Sequence, residues 1–183
     1  MKKLLFPAVG LVALMFISLA YAATSVVHDP TGDAGSAAPY LDVAHAEVIE
    51  QKGRGTLFFM MQLAGPISEA PSESVLIWVF HVDTDPAAFP GGLYVDYVVR
   101  VLWSNGAFVG QVVNRTTGAI TSVSFSIHGS TVKVFVPLAA LGNPSSFGWN
   151  AATRPGFPPV PYVDFAPDAA GPTDFSTLAT WNS

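Results

Sequence analysis

The chain has 183 residues, of which half are hydrophobic and 11% are charged, with a formal net charge of −5. Its eight basic residues form no basic patch, which argues against nucleic acid as a partner. The absence of cysteine excludes disulfides, thiol chemistry and cysteine-ligated metals. Such a protein takes its stability from its core, from bound ions, or from both.

The first 22 residues have the organisation of a secretory signal peptide. A basic start at residues 2–3 is followed by an apolar run over 4–19 and by Ala-Tyr-Ala at 20–22. We expect cleavage after Ala22, because the run is short for a membrane span and the cleavage motif follows at once. The alternative is an uncleaved anchor helix. Cleavage would leave six basic and thirteen acidic residues, a net charge of −7, in a secreted, extracellular or cell-surface protein with no stable membrane span.

The rest of the chain consists of short apolar or alternating segments separated by turn residues. Strands are predicted over 25–28, 41–51, 56–63, 75–82, 93–103, 107–114, 123–128 and 132–136, with a last one from 147. One helical turn is predicted over 137–142, with proline near its start and glycine at its end. Eight or nine strands with almost no helix predict an all-β fold, an antiparallel β-sandwich or jelly roll, with a closed barrel as the alternative. We assign residues 1–22 to the signal peptide, 23–171 to the sandwich domain and 172–183 to a C-terminal tail.

The stretch 75–103 is the most apolar and predicts two strands in the middle of a sheet that is covered on both sides. Its two strands are joined by a loop of about ten residues, which is long for a plain hairpin. The predicted core consists of Ile77, Val79, Phe80, Val99, Val101, Phe125 and Val134.

Eight of the thirteen acidic residues lie in short motifs in loops or at strand ends. They are Asp29, Asp33, Asp42, Asp83, Asp85, Asp96, Asp164 and Asp168. Clustered carboxylates repel one another, and burying one without a partner costs several kcal/mol. A hard cation with oxygen ligands relieves both penalties, and calcium accepts irregular loops. The competing interpretation is that these residues form Asx turns and caps, which aspartate does readily.

Several short motifs together resemble one group of secreted domains. They are Asp29-Pro-x-Gly-Asp33, Leu41-Asp42-Val43, Leu63-Ala64-Gly65-Pro66, Asp83-x-Asp85, Asp96-Tyr97, Val136-Pro137-Leu138-x-x-Leu141-Gly142 and Ala166-Pro167-Asp168. In this order they resemble the DOMON-like β-sandwiches, which include family 9 carbohydrate-binding modules and the C-terminal module of glucodextranase-type enzymes. The resemblance spans nearly the whole mature chain, although each motif is short. It implies a jelly-roll sandwich that binds sugars, haem or calcium, or that serves as an adhesive module.

The resemblance implies that Asp29, Asp33, Asp42 and Asp168 are structural calcium ligands. Gly32 lets the chain bend tightly enough for the first two to converge, and the third opens the next strand. Asp168 reaches this corner if the final strand runs beside the first.

The rival location is the loop that begins Asp83-Thr-Asp85. It starts like an EF-hand but carries Ala88 in place of glycine and Tyr94 in place of glutamate, so a site there would need ligands from elsewhere.

Other ligand chemistry has weaker support in the sequence. Sugar-binding members of the group clamp their ligand between exposed aromatic residues, for which Trp78, Trp103, Trp149 and Trp181 are the candidates. Haem-binding members use methionine and histidine, for which Met60, Met61 and His81 are present. Mid-strand methionines favour a packing role instead.

Nothing in the sequence favours catalysis. The nucleophile elbow, the H-E-x-x-H motif, the P-loop and the dinucleotide-binding glycine motif are all absent. His45 and Glu47 share one strand face and could hold zinc, but no third ligand is evident and a half-buried polar face is the preferred interpretation. We therefore interpret the protein as a non-enzyme.

The leading hypothesis is a secreted binding module with calcium-stabilised loops that binds a polysaccharide or a cell-surface glycan. One alternative is a structural or adhesive surface protein that self-associates through its sheet edges, with the tail after Gly171 as an added strand. The other is a haem-binding electron-transfer domain.

Overall fold

A computed structural model describes residues 23–85, 95–168 and 178–183. The predicted signal peptide, the loop beyond Asp85 and the predicted boundary at residue 171 therefore lie outside the described residues. Within these ranges, no helix is long and apolar enough to cross a membrane.

The protein is an antiparallel sandwich of two open sheets. Its strands are β1 Thr24–His28, β2 Val43–Gln51, β3 Thr56–Leu63, β4 Val75–Asp83, β5 Tyr97–Ser104, β6 Ala107–Asn114, β7 Ile120–Ser122, β8 Ser124–His128, β9 Thr131–Pro137, β10 Ser146–Arg154, β11 Asp164–Ala166 and β12 Ala179–Asn182. The five-stranded sheet has the order β1-β2-β3-β9-β8. The seven-stranded sheet has the order β11-β10-β4-β5-β6-β7, with β12 also paired to β10. The sheets do not close on each other, so the sandwich prediction is confirmed.

The predicted helical turn is present as a 3₁₀ helix, Leu138–Leu141, which ends at Gly142 in the left-handed conformation with φ of 79°. A second 3₁₀ helix, Pro39–Leu41, lies just before β2. Between β7 and β8 the chain passes from the seven-stranded to the five-stranded sheet at Val123. The sequence analysis predicted one strand here, over 123–128, and did not predict β7. Strands β11 and β12 were not predicted, since proline, glycine and aspartate dominate the sequence around them.

The main core lies between the two sheets and is built from residues at alternate strand positions. Its largest fully buried side chains include Trp78, Trp149, Trp181, Phe59 and Phe80. The Trp149 indole Nε1–H donates to Ser25 Oγ at 2.9 Å, which ties β10 to β1.

A second apolar cluster covers the outer face of the seven-stranded sheet. It consists of Ile77, Val79, Val98, Leu102, Ala152 and Phe165, with Tyr162 packed against it. Because β4 is covered on both faces, it lacks the alternation of a half-exposed strand, as its sequence predicted. Of the predicted core residues, only Phe125 is partly exposed.

Candidate metal centre

Five aspartates converge at one corner of the sandwich, which we call the acidic corner: Asp29, Asp33, Asp42, Asp164 and Asp168. Asp29 directly follows β1, and Asp42 directly precedes β2. Asp164 begins β11, which belongs to the other sheet but contacts β2. The corner is therefore assembled from both sheets, at the place where their edges meet.

Carboxylate oxygens at this corner lie close enough to share an ion. Those of Asp29, Asp33 and Asp168 lie within 4.8 Å of one another. Those of Asp33, Asp42 and Asp164 satisfy the same limit. Oxygens on opposite sides of one calcium ion stand about 4.6–5.2 Å apart, since each bond is about 2.3–2.6 Å long. The four residues that the sequence analysis assigned to this site are thus brought together.

Backbone amides satisfy some of these oxygens and leave others without a donor. Gly32 N–H donates to Asp42 Oδ2 at 2.7 Å, and Asp164 accepts from Val43 N–H at 2.5 Å and from Phe165 N–H at 2.8 Å. Asp42 Oδ1 and Asp29 Oδ2 are buried with no hydrogen-bond partner. Asp42 is 7% exposed, so water reaches it poorly. The corner therefore contains buried acceptors that lack a positive partner.

The electrostatics of the corner oppose ionisation when no cation is bound. Burial, followed by repulsion from Asp164, Asp168 and the other neighbouring aspartates, raises the pKa of Asp29 to about 8. Burial also raises the pKa of Asp164 to about 7, against the lowering effect of its bond from Val43 N–H. Among the described residues, no lysine or arginine forms an ion pair with these acids. A divalent cation would supply the missing positive charge.

Asp164 is the one member of the acidic corner that sequence reasoning did not assign. Its signal was present, because Asp164 and Asp168 have the same D-x-x-x-D spacing as Asp29 and Asp33. It was passed over because the three-residue strand β11 that positions it was not predicted.

The rival acidic loop is arranged differently. Asp83 is buried, burial raises its pKa, and its Oδ1 accepts the Asp85 N–H at 3.0 Å. Asp96 Oδ2 accepts from Thr84 N–H at 2.8 Å and from Thr84 Oγ1–H at 2.5 Å. Within the described part of this loop, these aspartates act as turn caps and do not assemble into a group of three possible metal ligands.

The tryptophans offer no exposed sugar platform. Trp78, Trp149 and Trp181 are fully buried, and Trp103 is 8% exposed.

The residues considered for haem also do not meet. Met61 faces the main core and Met60 the outer face of the five-stranded sheet, whereas His81 lies on the outer face of the seven-stranded sheet. There its Nδ1 bonds Asn150 Oδ1 at 2.8 Å and its Nε2 bonds Tyr162 Oη at 2.9 Å.

A cleft of about 680 Å³ opens between β6 and β8, beside the crossing at Val123. Its apolar wall includes the half-buried Phe108, Phe125 and Ile127. Phe108 is held in place by Trp103, with ring centroids 4.7 Å apart. The polar part of the lining is Ser68, Glu69, Ser126 and His128.

No family model and no curated protein matches the chain. The β-sandwich is compatible with the domain group that the sequence resembles, and it is the fold alone that supports the likeness.

Proposed function

We propose that the protein is a secreted, non-catalytic binding module, stabilised by calcium in the acidic corner, with carbohydrate as its ligand. The observation that carries the proposal is Asp42 Oδ1, a buried oxygen without a hydrogen-bond partner, on a residue that clusters with Asp33 and Asp164. Leaving a buried charged group unpaired is costly, so a cation at this position would contribute directly to folding. Calcium fits better than magnesium because the ligands come from irregular loops and two strand ends, without a compact octahedral arrangement.

The cleft beside Val123 is the proposed carbohydrate site. Its volume falls within the range of about 300–1,000 Å³ that is usual for small-ligand sites. Phe108 and Phe125 provide apolar surface for the C–H faces of a sugar ring, and Ser68 and Glu69 provide hydrogen-bonding groups for its hydroxyls. Among the described lining residues Glu69 is the one carboxylate, whereas glycoside hydrolysis needs two, so these residues favour binding over cleavage.

Calcium binding is tested by thermal unfolding of the protein with calcium, with magnesium and with a chelator. At a calcium concentration of 100 times Kd, binding to the folded state alone adds about 2.7 kcal/mol. For a domain of this size that corresponds to a Tm increase of roughly 5–11 °C. Magnesium should restore only a small part of the Tm that is lost in chelator. An unchanged Tm in chelator, with no calcium found by elemental analysis, would refute the calcium assignment.

Carbohydrate binding is tested on a glycan array and then by calorimetry with the best glycan. Phe125→Ala should abolish binding, because it removes the ring that lines the cleft. The matched control is Phe135→Ala, which trims a half-exposed phenylalanine on the outer face of the same sheet. Equal loss in both variants, or no glycan bound by the wild-type protein, would contradict the assignment.

A second candidate function is adhesion through sheet edges. The edge strand β7 exposes 57% of Ile120, and the edge strand β1 exposes 44% of Val26. Unpaired edge strands with exposed apolar side chains favour strand addition between subunits. Size-exclusion chromatography at rising concentration should then show dimers or larger species, which Ile120→Lys would suppress. A monomer at every concentration would exclude this function.

A further inference from the structure

Two histidines face each other across the edge of the five-stranded sheet. His28 ends β1, and its Cα partner on β2 is His45. Both side chains point away from the core, since their neighbours Ser25 and Ala46 are buried on the other face. Their Nδ1 atoms are 3.3 Å apart, and their ring centroids are separated by 4.9 Å.

This separation is within hydrogen-bond distance, and it also matches that of two imidazoles on one tetrahedral metal ion. With metal–nitrogen bonds of about 2.0–2.1 Å and a tetrahedral angle, the two nitrogens stand about 3.3–3.4 Å apart. The strand pairing thus supplies the spacing of His28 and His45 without a change of register.

Glu47 occupies the position of an outer partner. Its Oε2 lies 3.8 Å from His45 Nε2, the ring nitrogen that faces away from His28. Metal-ligating histidines commonly donate their second N–H to a carboxylate, which fixes the tautomer and orients the ring. A proton held on Nε2 by Glu47 would leave the lone pair of His45 on Nδ1, the nitrogen nearest the other histidine.

We propose that His28 and His45 form a two-histidine site for a borderline divalent metal such as Zn²⁺ or Cu²⁺, with Glu47 orienting His45. Imidazole nitrogen suits these ions, whereas the all-oxygen acidic corner suits calcium. Because His28 is exposed, water is available for the remaining coordination positions. A bound metal would cross-link the edge strand β1 to β2.

The test is calorimetric titration of the full mature chain with ZnCl₂ in excess calcium, which keeps the acidic corner occupied. One zinc per chain is expected, with two imidazole ligands in its X-ray absorption spectrum. His28→Gln and His45→Gln should each abolish this binding. His128→Gln is the matched control, because it changes another exposed histidine at the opposite edge of the same sheet and should bind zinc like the wild type.

Glu47→Gln should retain the stoichiometry and weaken zinc affinity by about tenfold, the lower end of the range for outer carboxylates. Near-ultraviolet circular dichroism of every variant in calcium must match the wild type, which separates loss of the ligand from loss of the fold. The proposal is overturned if the wild type binds no zinc, or if both histidine variants bind it unchanged. Unchanged affinity in Glu47→Gln would overturn the orienting role.

Discussion

The acidic corner and the polar network around His81 both bury polar groups, but they differ in whether those groups find hydrogen-bond partners. In the network, Asn150 Oδ1 accepts from the His81 ring and the Tyr162 hydroxyl donates to its other nitrogen. Burial lowers the pKa of His81 to about 4, so the ring is neutral and needs no counter-charge. In the corner, like-charged groups meet and buried oxygens such as Asp42 Oδ1 remain without donors.

The difference separates a polar cluster whose members bond to one another from one whose acidic members lack donors, and only the second is a candidate for binding a cation. Neutral partners can satisfy one another inside a protein, whereas carboxylates alone can only accept hydrogen bonds and repel. The network does leave two buried donors, Asn150 Nδ2 and Arg154 Nε, without partners. The Arg154 guanidinium is nevertheless packed 4.7 Å over the Tyr162 ring, which is a favourable cation–π contact.

The largest expected effect is that of His81→Ala, at about 3–5 kcal/mol of unfolding free energy. The substitution opens a cavity and removes the hydrogen bonds to Asn150 and Tyr162. Because the network needs no ion, the loss should be equal in calcium and in chelator. Urea unfolding in both buffers measures this loss. A loss confined to one buffer would show that the stability of the network depends on calcium.

Asp42→Asn should remove the calcium-dependent stability, about 2.7 kcal/mol at 100 times the wild-type Kd. In chelator it should change little, because asparagine keeps an oxygen to accept the Gly32 N–H and removes one like charge. Asp85→Asn is the matched control, an exposed aspartate of the rival loop. The same urea titrations measure both, and equal losses with and without calcium would assign Asp42 to hydrogen bonding alone.

Tyr162→Phe should cost about 1 kcal/mol, the usual net value of one hydrogen bond. The ring stays under Arg154, so only the bond to His81 Nε2 is removed. The loss should again be independent of calcium. A change beyond about 3 kcal/mol would show that the hydroxyl has a larger role in the network than one bond.

A dependence on pH is also expected, although solvent screening reduces the effect at Asp29, which is only half-buried. The pKa values of Asp29 and Asp164, about 8 and about 7 in the folded, calcium-free protein, exceed the ordinary 3.8. The folded state then binds more protons than the unfolded state, so stability falls as pH rises from about 4 to about 8. Calcium should flatten this decline. Tm measured across this range in chelator would contradict the raised pKa values if it stayed level or increased.

Periodicity and turn chemistry were enough to predict the sandwich and most strands. Strand β6, Ala107–Asn114, has the predicted bounds, because turn residues flank it on both sides. Alternation alone could not reveal that the chain changes sheets at Val123, since both sheets continue the same inside–outside pattern. Strand β12 escaped prediction because its short segment has no periodicity of its own and is fixed by tertiary pairing with β10.

Much of the candidate site was also predictable, but only its members and not its geometry. The resemblance to the DOMON-like sandwiches implied a site with Asp29, Asp33, Asp42 and Asp168, and the structure brings these residues together. The burial that leaves Asp42 Oδ1 without a partner depends on packing between strands distant in sequence. The same holds for His28, whose proximity to His45 follows from strand register and not from sequence spacing.

The meeting of β1 with β12 has a consequence for the order in which the domain can form. Strand β1 lies against β12, and Trp181 of β12 fills the core between the sheets. A chain that emerges from N- to C-terminus therefore cannot complete this core until residue 182 has been made. Folding of such a non-local β topology is expected to be slow, and the core between the sheets is expected to form only after β12 has been synthesised. A partly made chain would leave Phe147 without its stacking partner Trp181, whose ring centroid lies 4.8 Å away in the complete domain.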